Sequence, residues 1–309
     1  MPELYLRRHS ERDGQTVKAF LKEEFSLSDH AIARLKFIPN GILLNKIPAR
    51  VTDIVPRDAE LSVRIDDGPS AVNTAPPMDV PLDILWEDEY LAVLRKPANQ
   101  TVHGPNRPDL PPTIANAAAF HWGGGQAFHP ISRLDRGTSG LLLLAKCSLA
   151  HDCLRRAMGT ESFRKGYMAV CDGHPEPAKG SISLPIGRSG NSLRRVTDNG
   201  GRPAATDYQT LYTSDTRALL ALELRTGRTH QIRAHLSALG CPITGDAMYG
   251  TSSADIQRPA LHAAALRFAH PFTGRFVSVF APPPEDFLSL LPRRDVFPTD
   301  ADEFFRWFE

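Results

Sequence analysis

The stretch ISRLDRGTSGLLLLAK, residues 131–146, joins a charged phrase directly to an apolar run. Leu141, Leu142, Leu143 and Leu144 have the pattern of a short strand buried on both faces. Ahead of them stand Arg133, Asp135, Arg136, Gly137, Thr138, Ser139 and Gly140, a mixture that suits a loop pressed against other backbone or a ligand. The strand supplies anchorage and the turn before it supplies chemistry. Taken alone, Asp135 reads first as a turn aspartate paired with Arg133 or Arg136.

Working outward, 309 residues suffice for one sizeable core and a small accessory domain. No run of about 18 apolar residues occurs, and MPELYLRRHSERDGQ lacks the apolar centre of a signal peptide. A cytoplasmic protein without membrane partners is expected, and a monomer. Cys147, Cys153, Cys171 and Cys241 show no CxxC pairing and read as scattered reduced thiols. The net charge of +1 rules out a coat of positive charge but not segregated charge. Residues 283–309 hold seven acidic and three basic side chains, a net of −4 that leaves +5 elsewhere. Arg188, Arg194, Arg195 and Arg202 against Asp198 make a local +3 patch, either a solvated loop or a phosphate contact.

Residues 1–67 read as a separate module. Val17, Phe20 and Leu21 fall at helical spacing, and Ser28 caps a second helix carrying Ile32 and Leu35. Short strands follow at 42–44, ahead of an Asn45-Lys46 turn, and at 61–65, after the Pro56-Arg57-Asp58 turn. Two short helices leading into "LLN-K-IPA" and "V-P-x-D-x-L-x-V" phrases resemble the S-four-type RNA-binding module. That resemblance nominates Arg34 and Lys36 as facing RNA, with Lys46 beside them. This copy has FIPNG where a compact glycine turn is usual, and its eleven basic and eleven acidic residues over 1–68 balance. Residues 68–81 read as a Pro/Ala/Ser linker, and a second domain spans 82–309.

In that domain a hairpin is expected over ILWEDEYLAVLRK, a short helix at TIANAAAF, and an amphipathic helix at SLAHDCLRRAM. FRKGYMAVCDG is a strand on which Tyr167 and Ala169 share a face. Residues 180–201 suggest a mobile β excursion, followed by strands around 208–212 and 218–224. Thr229 is placed to cap a helix over 230–239 that Gly240 stops, with Arg233 leaving the core toward a cleft. The tail reads as an amphipathic helix packing Phe304, Trp307 and Phe308 back on the body.

Four phrases combine: RLDRGTSGLLLLAK, FRKGYMAV, LRTGRTHQIRAHLSALGCPITGDAMYG and LHAAALRFAHPFTG. With the EDEYLAVLRKPANQTVHG lead-in, their order and spacing resemble the RluA-type pseudouridine synthases over nearly all of 82–282. The resemblance implies an α+β fold with a large, mostly antiparallel mixed sheet and flanking helices. It also implies isomerisation of uridine in structured RNA, with ribosomal RNA the first expectation and transfer RNA the second. No metal, nucleotide or redox cofactor is implied, in keeping with a sequence that lacks a phosphate-binding glycine loop, a dinucleotide fingerprint and zinc-ligand spacing. A different class of reading is a non-catalytic RNA-binding or ribosome-assembly factor that keeps the fold.

By the same resemblance Asp135 is the reacting carboxylate, acting as nucleophile or base. Arg233 is the cation that keeps it ionised, with Arg228 the second choice or a phosphate anchor. Tyr167 stacks on the uracil and accepts a proton, although a strand tyrosine is more often core. The uridine has to be flipped out of its stack, and Arg133 is a candidate to fill the space, or else an ordinary ion-pair partner. Arg136, Lys165, Arg188, Arg194 and Arg195 are candidates for phosphate contacts. Ser132 departs from the histidine that many relatives carry before the Arg-Leu-Asp phrase.

Overall fold

The computed structural model describes residues 5–65, 73–104, 110–123, 127–188, 190, 194–292 and 295–309. Its first part contains β1 (Tyr5–His9), β2 (Gln15–Thr16), α1 (Val17–Glu23) and α2 (Asp29–Leu35). These are followed by β3 (Ile42–Leu44), β4 (Ile47–Pro48), β5 (Ile54–Val55) and β6 (Glu60–Arg64). The hydroxyls of Thr16 and Ser28 start the two helices by accepting the N–H groups of Ala19 at 3.2 Å and Ala31 at 3.0 Å. The expected apolar positions Val17, Phe20, Leu21, Ile32 and Leu35 are all buried. β3 and β4 pair across Asn45 and Lys46, whose φ values of 50° and 69° are those a two-residue hairpin turn needs.

The remaining strands are β7 (Ile84–Glu87), β8 (Leu91–Lys96), β9 (His129–Pro130), β10 (Ser139–Ala145), β11 (Phe163–Asp172) and β12 (Lys179–Ile182). After them come β13 (Ile186–Arg188), β14 (Arg195–Thr197), β15 (Thr206–Thr213), β16 (Arg217–Leu224), β17 (Leu261–Ala269) and β18 (Phe276–Phe280). The helices are α3 (Ile114–His121), α4 (Ser148–Ala157), α5 (Gln231–Ala238), α6 (Glu285–Leu288) and α7 (Ala301–Arg306). Ten strands make one sheet in the order β12-β15-β16-β11-β17-β10-β8-β7, with β9 on β10 and β18 on β17. Among the described residues every pairing is antiparallel except β10 with β17, which run parallel with Ser139 opposite His262 and Gly140 opposite Ala263. The fold class is the expected α+β type with a mostly antiparallel mixed sheet. No described helix is long and apolar enough to cross a membrane.

The double-sided burial expected of the leucine run is present, because β8 and β10 feed two apolar cores. Leu91, Val93, Leu141 and Leu143 face one core, and Ala92, Leu94, Leu142 and Leu144 face the other. The first core is continuous with Val17, Phe20, Ile32 and Leu35, so the N-terminal part covers that side of the sheet. Polar ties hold it there: Ser28 Oγ donates to Asp152 at 2.8 Å, and Arg156 donates to the Ser26 carbonyl. The described part of the expected linker lies along α3, with Asn73 donating to the Ala115 carbonyl at 2.7 Å and Asn116 to that of Pro76 at 2.8 Å. Residues 68–72 of that linker lie outside the described residues.

The second core is closed partly by the C-terminal aromatics. Phe304 is fully buried and Trp307 and Phe308 pack beside it, as expected, and Phe305 is fully buried as well. A Cβ on Gly166 would lie 2.2 Å from the Phe304 ring, so α7 seats only against bare backbone.

At the parallel pairing the two halves of the sheet meet most closely. Gly140 has φ 110°, and a Cβ there would stand 2.2 Å from the Ala263 carbonyl oxygen. Ser139 Oγ lies 2.9 Å from His262 Nδ1, and His262 Nε2 lies 3.0 Å from the Ala281 carbonyl oxygen. A carbonyl only accepts, so Nε2 carries the proton and Nδ1 accepts from the serine. Burial pushes His262 down to about 4, despite the Ala281 carbonyl. Its neutral form therefore adds stability above the ordinary value near 6.5, and that stability is lost as pH falls toward 4. The interval corresponds to about 3 kcal/mol. Urea denaturation at pH 7 and pH 4 should show a fall in stability that is smaller by about that amount in His262→Asn than in the wild type. An equal fall in both would remove His262 from the explanation.

Candidate active site

Asp135 lies in the loop between β9 and β10, and that loop is tied down at every turn. The Thr138 N–H donates to the Asp135 carbonyl at 3.1 Å, and the Asn99 N–H to the Arg136 carbonyl at 2.7 Å. Lys96, at the end of β8, is fully buried. Its ammonium donates to the carbonyls of Pro97, Gln100 and Arg136 at 2.7, 2.9 and 3.3 Å. Burial pushes that ammonium down to about 8. From the other side Arg258 donates to the Gly137 carbonyl at 3.3 Å while held by both oxygens of Asp286 at 2.7 and 2.9 Å. A Cβ on Gly137 would come within 3.0 Å of the Pro259 ring. The glycines of the phrase are thus explained by close approach, as the sequence suggested.

Arg233 comes from the first turn of α5. Its Nε and Nη2 donate to the two oxygens of Asp246 at 2.6 and 2.8 Å, and its Nη1 donates to Asp135 Oδ2 at 3.1 Å. Arg233 is 8% exposed and Asp246 1% exposed, so this is a buried two-carboxylate clamp. Burial works against the guanidinium's charge, but the hydrogen bonds and charge of Asp246, and then those of Asp135, outweigh it and raise its pKa.

The helix does not begin as expected. Thr229 does not cap it: His230 is the N-cap, in the left-handed region at φ 56°, with no side-chain capping bond. The preceding turn is instead closed by Gln231, whose Oε1 accepts from Thr226 Oγ1 at 2.7 Å and from the Arg228 N–H at 2.9 Å. This geometry sends the His230 ring into the cavity, with Nε2 3.7 Å from Asp135 Oδ2. Tyr249 Oη accepts the Arg195 N–H at 2.7 Å and lies 3.1 Å from His230 Nδ1. The phenol therefore donates to Nδ1, which leaves the ring proton on Nε2, facing Asp135. Burial lowers the His230 pKa, with Asp135 acting in the opposite direction.

Tyr167 of β11 lines the same cavity, whose volume is about 570 Å³, together with Asp135, His230 and Arg233. Tyr167 is 6% exposed, and burial first, then the charge of Asp135, pushes its phenol far above the ordinary tyrosine value. Lys165, two residues earlier, is buried in the wall of the cavity rather than on the surface. Arg133 and Arg136 are exposed at its rim, and Arg136 Nε donates to the Asn99 carbonyl at 3.2 Å. Arg228, half-buried, also lines the cavity and donates to the Pro203 carbonyl at 3.1 Å.

The arginine patch is brought beside the site. β13 and β14 pair as a hairpin, and Ile186, Ala204, Ala234 and Tyr249 form one apolar cluster between it and α5. The described residues of the excursion are therefore seated on α5 rather than hanging free of the body. Arg194 is exposed above the Tyr249 ring at 5.2 Å, Arg195 lies in β14, and Arg188 is exposed at the end of β13. Arg233 stacks on the same Tyr249 ring at 4.9 Å. Arg34 and Lys36, on α2 and at its C-cap, do not line the cavity. Asp246, Tyr249, His230 and Lys96 were not nominated from the sequence. The first two lay in view in the GDAMYG phrase, but nothing in their spacing pointed at Arg233.

The family model for RNA pseudouridylate synthase matches residues 90–238. The chain is 38% identical over 229 residues to ribosomal large subunit pseudouridine synthase D of Zymomonas mobilis, covering 68% of this chain and 72% of that protein. It is 35% identical over 282 residues to the uncharacterized RNA pseudouridine synthase YjbO of Bacillus subtilis, covering 89% of this chain and 98% of that one. Among solved structures it is similar to human RNA pseudouridylate synthase domain containing 1, with a TM-score of 0.53 and 28% identity over 68% of this chain and 87% of that one. A loop aspartate clamped to a helix arginine beside a buried tyrosine thus sits within matched sequence and matched fold, and the chain belongs to the RluA-type RNA pseudouridine synthases, enzymes that isomerise uridine in RNA.

Proposed function

We propose that the chain converts uridines of structured RNA, ribosomal RNA first and transfer RNA second, using Asp135 as the reacting carboxylate. The observation that carries this is the 3.1 Å contact of Arg233 with Asp135 in a cavity that also holds Tyr167. The relative named for the ribosomal large subunit supports the choice of RNA. Asp135 attacks the ribose as a nucleophile or removes a proton from it, in either case with the bond from ribose to uracil nitrogen breaking, while Arg233 pairs with the carboxylate and directs it. The uracil is then free to turn and rejoin through carbon.

Tyr167 supplies a stacking face for the uracil. Its phenol enters the reaction protonated, because burial and the Asp135 charge both disfavour the phenolate. Once Asp135 has bonded to the sugar or taken a proton, that second contribution disappears, so the phenol gives up its own proton to solvent more readily, and the oxygen it leaves can then accept the proton lost from carbon.

Flipping the uridine out costs a few kcal/mol, and Arg133, exposed at the rim, is assigned to the vacated space. Arg136, Arg188, Arg194, Arg195 and Arg228 are assigned to phosphates. The N-terminal module, residues 1–67, is assigned to RNA as an S-four-type module, tethered through 68–81 to the catalytic domain 82–309. Charge supports this, since residues 30–52 hold Arg34, Lys36, Lys46 and Arg50 and no acidic residue. The enzyme acts as a cytoplasmic monomer.

Mapping pseudouridines in RNA from a deletion strain identifies the target. On RNA carrying tritium at uridine carbon five, the wild type should release label and Asp135→Asn should release none above background; equal release would sink the assignment. Charge reversal of Arg194 and Arg195 should weaken RNA binding and reduce the slope of log affinity against log salt by about 2. An unchanged slope would return the patch to ordinary solvated surface.

A further inference from the structure

Lys165 is the third residue of β11 and is 8% exposed. Its side chain lies in the cavity wall against Gly227, where an added Cβ would meet Nζ at 3.2 Å. Among the described residues it has neither a carboxylate partner nor a hydrogen-bond acceptor. The other buried cations around the loop are all satisfied: Lys96 by three carbonyls, Arg258 by Asp286, and Arg233 by two carboxylates. A buried ammonium left unpaired is costly, and a protein keeps one where something arrives to pair with it. Burial, with Arg155 adding a like charge, pushes Lys165 down to about 8, and an arriving anion would offset both effects.

The surroundings identify the anion. Arg155 and Arg228 line the same cavity, and Gly227 has no side chain to stand against the ammonium. The one full negative charge on each nucleotide is its phosphate. Lys165 precedes Tyr167 by two residues on an extended strand, roughly 7 Å along it, about the reach from a pyrimidine ring to its own phosphate. We infer that Lys165 is an internal seat for the phosphate of the flipped-out uridine, distinct from the arginines that grip the RNA outside. This deepens the proposal that Asp135 and Tyr167 receive the target uridine, and it rests on that proposal. Lys165 then acts as a positioning residue: a uridine is drawn into register with Asp135 by its own phosphodiester, and the interaction appears chiefly in substrate affinity.

The test uses a synthetic RNA hairpin carrying the mapped uridine, and versions in which the linkage on the 5′ or 3′ side of that uridine is a neutral methylphosphonate. For the wild type, neutralising one of the two linkages should raise KM about tenfold or more, the range of a charge-assisted contact, with kcat changed only a few-fold. Lys165→Met should show a similar KM on the native hairpin and no further loss on the methylphosphonate, and Lys165→Arg should restore KM. Losses that simply multiply, or a Lys165→Met enzyme with unchanged KM, would overturn the assignment. So would a Lys165→Arg enzyme that keeps KM but loses kcat, which would make Lys165 a proton-transfer group. A second readout needs no RNA: removal of an unpaired buried charge should leave the melting midpoint of Lys165→Met equal to or above that of the wild type. A clear drop would make Lys165 structural. An inactive wild type on the native hairpin, with this stability result intact, would count against the catalytic assignment instead.

Discussion

The site depends on one guanidinium shared by two carboxylates. Asp246 is nearly inaccessible and spends both oxygens on Arg233, one of which also receives the Met248 N–H at 3.2 Å. A charge pair this deep is maintained only when its remaining hydrogen-bonding capacity is met, since a lone buried ion costs several kcal/mol. Asp246 therefore acts on the arginine's direction rather than on substrate, locking the planar fork so that Nη1 alone is left for Asp135. Tyr249 braces the arrangement from below, stacking on Arg233 and orienting His230.

Asp135 itself stands on a loop that is held from several sides. Lys96 holds the Arg136 carbonyl, Arg258 holds that of Gly137, and Ser139 is locked to His262. These anchors come from β8, from the segment before β17, and from β17 itself, which lie on either side of β10. The parallel contact at Gly140 is the point at which the two halves of the sheet meet, and Asp135 is set a few residues ahead of it. The cavity is thus a consequence of topology: one half of the sheet supplies the carboxylate, the other supplies Tyr167, and α5 supplies the cation between them.

Much of this was legible in the chain. Four consecutive leucines admit few environments, and the polar phrase before them could only be a loop, so the anchoring strand and the turn ahead of it followed directly. The start signals at Thr16 and Ser28 and the amphipathic spacing of α4 were equally plain. The partners of Arg233 were not, because Asp246 and Tyr249 lie 13 and 16 residues away along irregular chain and meet it only in three dimensions. The left-handed backbone at His230 hid the true start of α5, since Thr229 looked like a better cap. Burial was also hard to read for Lys96 and Lys165, two lysines whose residue type argues for the surface. The even charge of the N-terminal part concealed that its apolar side closes one core of the large sheet.

On this geometry Asp246 serves the proposed reaction entirely through Arg233, and a double-mutant cycle measures that coupling. Single-turnover pseudouridine formation would be followed for Asp246→Asn, Arg233→Gln and the double variant, with folding checked by urea denaturation. If the clamp is one unit, either substitution alone should lower the rate about as much as both together. Rate losses that multiply across the two positions would instead show Asp246 and Arg233 acting independently.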